Sequence, residues 1–153
     1  IIGAEKTRRA LARSSLFAAF TESELMRVQK IALGRLVPPG ETVVTQGSPV
    51  DELYLVMEGT VSVMRDGDTF GKLGPGDPFG AMALNYEPDM EVSMRTDTLT
   101  QLLVFPLAEI KTLLASDTAI AAKLALAALE RVHHRHHNVV NSYARYRRDN
   151  PSK

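Results

Sequence analysis

The alternation of apolar and polar positions divides the 153-residue chain into three stretches with different periods. Near the start, Leu11, Leu16, Phe17 and Phe20 fall on helical spacings, which predicts a helix that stops near Thr21. Thr21-Glu22-Ser23-Glu24 then has the form of a capping box, in which a threonine and the glutamate three residues on satisfy each other's backbone amides. Leu25, Val28 and Ile31 follow at i, i+3 and i+6, so a second helix is expected to about Ala32. Helices are thus placed within residues 5–32.

From Leu33 the period changes. Glycine or proline recurs every few residues up to Gly80, and the runs between have strand alternation: Glu41–Gln46, Leu53–Met57, Val61–Met64 and, later, Leu99–Phe105. Many short strands at this spacing predict an antiparallel barrel or sandwich over residues 33–105. Helical spacing then returns. Leu107–Leu114 predicts a short helix, and Asp117 is placed to cap a long one from Thr118 to about Tyr146, a span free of glycine and proline. The expected architecture is α+β, with N-terminal helices, a β-roll and C-terminal helices at 107–146, in one domain over 1–146 followed by a basic tail, 147–153.

Composition changes this picture in two ways. The 18 basic and 18 acidic residues cancel, but unevenly. Residues 1–35 carry a net +4, 36–118 a net −9 and 119–153 a net +5, the last stretch holding all four histidines. An acidic middle between basic ends makes a poor grip on nucleic acid, which needs positive charge gathered on one face. The absence of cysteine excludes disulfides and thiolate metal sites, and is compatible with a cytoplasmic location. No apolar stretch is long enough for a membrane span.

Several motifs resemble the cyclic-nucleotide-binding domain family. They are Pro39–Gly47, Glu52–Val63 with Gly59 at its turn, and Leu73-Gly74-Pro75-Gly76-Asp77-Pro78-Phe79-Gly80. The resemblance covers roughly residues 15–145 and implies an eight-stranded antiparallel, jelly-roll-like β-roll with two C-terminal helices, the last one long. It also implies a phosphate-binding cassette, where backbone amides meet a cyclic phosphate. In the family a glutamate after the Phe-Gly pair accepts a ribose hydroxyl, and an arginine about nine residues later pairs with the phosphate. Here the first position is Ala81 and the second is Met90, or Glu91 if the loop is one residue longer. The cassette positions are Phe79, Gly80, Ala81, Met82, Ala83, Met90, Glu91, Val92 and Ser93.

A charge-assisted hydrogen bond contributes roughly 1.5–3 kcal/mol net. Losing two costs about 3–6 kcal/mol, on the order of 10²–10⁴ in affinity. The expectation is therefore a roll that does not bind cyclic AMP or cyclic GMP in the usual way. Its pocket is either filled by Ala81, Met82, Met90, Val92 and Met94, or open to a different, uncharged ligand; weak or atypical nucleotide binding is the remaining alternative.

The last helix carries a second pattern. Ala122, Ala125, Leu129, Val132, His136, Val139, Tyr143 and Tyr146 are spaced as an a/d heptad seam, which predicts a homodimer, while Ile120 and Leu124 leave the seam to pack on the roll. The resemblance agrees, since bacterial regulators of this family dimerise along the equivalent helix. His136 would face its own copy, and paired imidazolium groups repel, so the dimer is expected to loosen below about pH 6. His133 and His137 are spaced i, i+4. With Arg135 inside the cluster, it reads as a solvated face, and zinc would take ligands from a second subunit.

An enzyme is not expected. Metal-dependent β-rolls converge imidazoles inside the barrel, and no histidine precedes His133. No triad, phosphate loop or acid pair stands out, and no cofactor is implied. After Tyr146 too few residues remain for a helix-turn-helix, so this chain carries no DNA-binding domain. It starts at Ile1, as a piece of something larger would, while Asn150–Lys153 reads as a fraying natural end. The expected role is a non-enzymatic module for regulation or assembly, with an effector domain or protein partner. The alternative is a cyclic-nucleotide sensor belonging to a transcription regulator, transporter or other larger protein.

Overall fold

The computed structural model describes residues 3–80 and 89–151. Its elements run α1 (Ala4–Arg13), α2 (Glu22–Gln29), β1 (Leu33–Val37), β2 (Thr42–Val44), β3 (Glu52–Glu58), β4 (Val61–Arg65), β5 (Asp68–Leu73), β6 (Pro78–Phe79), β7 (Ser93–Thr96), β8 (Thr100–Pro106), α3 (Leu107–Ser116) and α4 (Thr118–Asp149). The strands form two four-stranded sheets, ordered β1-β8-β3-β6 and β2-β7-β4-β5, and every pairing is antiparallel. This is the α+β roll with helices at both ends.

The N-terminal segment departs from the expected helix. Although Leu11, Leu16, Phe17 and Phe20 are all buried, α1 ends at Arg13. Ser14 is extended and its hydroxyl accepts from the Leu16 amide, after which Phe17 and Phe20 each close a three-residue turn. A serine offering its own acceptor competes with the helical ladder, and the chain turns there. The capping box at α2 forms as expected, with both reciprocal hydrogen bonds between Thr21 and Glu24. That helix stops at Gln29, and Ile31 and Ala32 are held by tighter i→i+3 bonds. Asp117 caps α4, accepting from the Ala119 and Ile120 amides.

Two cores follow from the alternation of side chains along β3 and β8. Leu53, Leu55, Leu103 and Phe105 face the helices and meet Leu11, Phe17, Val28, Ile110, Ile120 and Leu124. The alternate residues Tyr54, Val56, Leu102 and Val104 face the roll interior with Val37, Val61, Phe79 and Met94. Ile120 and Leu124 are 1% and 3% exposed, Ala127 still packs on the core and Arg131 donates to the Ser15 hydroxyl, so the base of α4 is anchored and the helix leaves the body beyond Arg131. Charge fastens the same junction: Lys123 pairs with Glu24, and Arg27 with Asp117.

Candidate ligand cavity of the roll

The turn Gly74–Asp77 delivers β6 to the cavity. Asp77 accepts the Gly74 amide through its carboxylate, and its carbonyl accepts from Val56, which pins the turn to β3. Phe79 then stacks on Tyr54 with ring centroids 4.5 Å apart and planes 10° from parallel. Gly80 follows at φ +86°, and a Cβ there would lie 2.7 Å from the Glu52 carbonyl oxygen, so only glycine fits against β3.

Behind this corner lies a cavity of about 200 Å³. One wall is Val43, Val44 and Thr45, the floor is Tyr54, Phe79 and Gly80, and the rim is Ser48–Glu52 with Met90. Met90 is fixed by its backbone, donating to the Ser48 carbonyl and accepting from the Gly47 amide, both within 2.8 Å. Val92 is partly buried against the interior core, Ser93 accepts the Gln46 amide, and Glu91 is exposed and does not line the cavity. Ala81, Met82 and Ala83 lie outside the described residues.

The charge at this wall is already matched. Glu52 accepts from the Tyr54 hydroxyl and from Arg35, whose guanidinium nitrogens stand 3.2 and 3.4 Å away. Burial raises the Glu52 carboxyl, but the Tyr54 and Arg35 hydrogen bonds outweigh it and hold the group below the usual carboxylate range. Burial, then the neighbouring Glu52, push the Tyr54 hydroxyl well above its ordinary value. Sequence reading had no signal for this triad, because Arg35 and Glu52 are brought together only by the β1-β8-β3 order. Among the described residues, no lysine or arginine lines the cavity, whereas Asp51 and Glu52 do. The sequence of 81–88, Ala-Met-Ala-Leu-Asn-Tyr-Glu-Pro, contains no basic residue either. Arg95 is exposed on β7 between buried Met94 and Thr96, donating to the Gly40 carbonyl.

Residues 34–117, more than half of the chain, match the sequence profile of the cyclic nucleotide-binding domain. The chain belongs to the cyclic-nucleotide-binding domain family. This family is regulatory and ligand-binding, not catalytic. A cyclic nucleotide-gated potassium channel of Mesorhizobium japonicum is 32% identical over 116 residues, which cover 76% of this chain and 32% of the channel. A putative potassium channel protein of Rhodopseudomonas palustris is 27% identical over 117 residues, covering 74% of this chain and 28% of that protein. The chain thus spans about a third or less of these curated relatives. A cyclic nucleotide-binding domain from Methylobacillus flagellatus superposes with a TM-score of 0.78 at 22% identity, covering 91% of this chain and 81% of that one, which is a likeness of fold.

The expected seam runs along α4 from Ala122, beside the anchored Ile120 and Leu124. Leu129, Val132, Val139, Tyr143 and Tyr146 are 64, 43, 66, 63 and 63% exposed, and Ala122, Ala125 and His136 are exposed beside them. Leu126 and Val140, outside the a/d positions, are exposed too and widen the apolar stripe. Among the described residues, no helix is long and apolar enough to cross a membrane.

Proposed function

We propose that this domain is a non-enzymatic regulatory or assembly module whose roll does not take cyclic AMP or cyclic GMP in the family's ordinary manner. The observation that carries this is Met90. The resemblance puts the phosphate-pairing arginine at this position, or at Glu91 if the loop is one residue longer; here an uncharged thioether lines the cavity, between a backbone-fixed turn and two carboxylates. A phosphate entering would meet Asp51 and Glu52 with no counter-charge from Arg35, which is engaged by Glu52. Replacement of the ribose-binding glutamate by Ala81 removes the second polar anchor.

The module acts as a homodimer along α4, whose apolar stripe has no cover among the described residues. Because the chain spans only part of its relatives, its output is expected in an attached effector or a partner protein, coupled through α4. Any ligand would act by favouring one placement of the C-terminal helices over another.

Ala81→Glu combined with Met90→Arg tests the cassette reading. Calorimetry is expected to show cyclic-nucleotide binding in the double variant that is stronger than in the unmodified chain by about 10²–10⁴-fold. Equal affinity in the two would overturn the assignment of those positions. The second reading is a working cyclic-nucleotide sensor that holds the phosphate with backbone amides, and the relatives described as cyclic nucleotide-gated favour it.

A further inference from the structure

We propose that α4 carries a divalent transition-metal site on the flank of its apolar seam, built from His133 and His137 with Glu130 and His134 beside them. The helix is continuous from Thr118 to Asp149, so its register fixes which residues share a face. Residues three and four apart lie one turn above another, about 5–6 Å between Cβ atoms. Glu130, His133, His134, His137 and Asn141 therefore form an i, i+3, i+4, i+7, i+11 stripe. Glu130 stands one turn before His133 and His134 and brings a carboxylate to the imidazoles.

All five residues are exposed in the single chain, so metal access is unobstructed there. The Asn141 side-chain amide donates to His137 Nε2 at 3.0 Å, so the lone pair of that nitrogen is directed at the amide along the stripe. A metal ion would replace the amide as partner of that lone pair, and His133, four residues earlier, supplies the second nitrogen of a chelate. Among the described residues no three His, Cys, Asp or Glu side chains already converge on one point, so the site forms by side-chain rotation. Water would complete the shell. Imidazole nitrogens select zinc, copper or nickel over magnesium and calcium, which prefer all-oxygen shells. His133 stands one turn from Leu129 and His136 of the seam, while Glu130, His134 and His137 lie outside the a/d positions, so a chelate here stiffens the exposed half of α4 with nitrogens of one chain. The site is independent of what the roll binds.

The test is calorimetric titration of the full chain with Zn²⁺, with Mg²⁺ as the comparison. A saturable isotherm with Zn²⁺ and none with Mg²⁺ is expected. His133→Ala and His137→Ala should each weaken Zn²⁺ binding by at least about tenfold, since even loss of an outer-shell partner costs 10–100-fold. His136→Ala, which changes the seam, should leave it unchanged. Both helix substitutions are at exposed positions, and circular dichroism confirms that the fold is kept. Binding that survives His133→Ala and His137→Ala, or that depends on His136, overturns the proposal. Light scattering with Zn²⁺ should show an unchanged mass; a doubled mass would put the ligands on two chains and overturn the single-helix site.

Discussion

Leu129→Glu is the sharpest perturbation of the proposed dimer. Leu129 is 64% exposed in the single chain, near the body end of the stripe that runs from Leu126 to Tyr146. Burying a leucine fully contributes about 1.5–3 kcal/mol, so covering the exposed part contributes roughly 1–2 kcal/mol per chain. A two-fold interface counts the position twice, giving roughly 2–4 kcal/mol. The substitution also sets two carboxylates against an apolar seam. Dimer dissociation should strengthen by roughly 30- to 1,000-fold or more. Sedimentation equilibrium at micromolar protein reads this directly. Leu36→Glu, at a residue 63% exposed on the edge strand β1, serves as the control and should leave the dimer intact. A dimer that survives Leu129→Glu, or that is lost with Leu36→Glu instead, would refute the seam, as would a monomeric unmodified chain.

Gly59→Ala should lower the melting temperature by several degrees: Gly59 sits at φ +94°, and a Cβ would lie 2.6–2.8 Å from Thr100 Oγ1, the Leu99 carbonyl and Thr100 Cα. Phe17→Ala should cost about 3–5 kcal/mol in chemical unfolding, because Phe17 is 1% exposed and packs on Phe20 and Phe105 with centroids at 5.3 and 5.9 Å. The Glu24 carboxyl is held down to about 2 by its hydrogen bond from Lys123 and then by the Thr21 backbone amide. A group lowered on folding adds stability above its unfolded value of 4.5 and loses it as pH falls toward about 2. Urea midpoints of the native chain should therefore fall more steeply across that window than those of Glu24→Gln; parallel curves would show that the clip contributes nothing.

Local chemistry is legible in the amino-acid sequence. The Thr21–Glu24 box and the Asp117 cap are decided by side chains within three residues of the backbone they satisfy, and both form. Strands β3 and β8 were visible because they carry the two cores on alternate residues. The turn at Ser14 was hidden, because Leu16, Phe17 and Phe20 are buried whether or not the backbone is helical. Strand β1 was equally hard to see, since four of its five residues are exposed at a sheet edge. At the cavity, Phe79, Gly80 and Met90 could be named from motif spacing. The Arg35–Glu52–Tyr54 triad could not, since it depends on strand order and no local signal encodes that.

The central claim is that this roll has lost the ordinary cyclic-nucleotide site. The direct measurement is calorimetric titration of the unmodified chain with cyclic AMP and cyclic GMP up to millimolar concentration. The account predicts no saturable heat with either nucleotide, while the Ala81→Glu, Met90→Arg variant binds. Micromolar binding to the unmodified chain would contradict it, and would make the domain a sensor that holds its phosphate without the missing arginine.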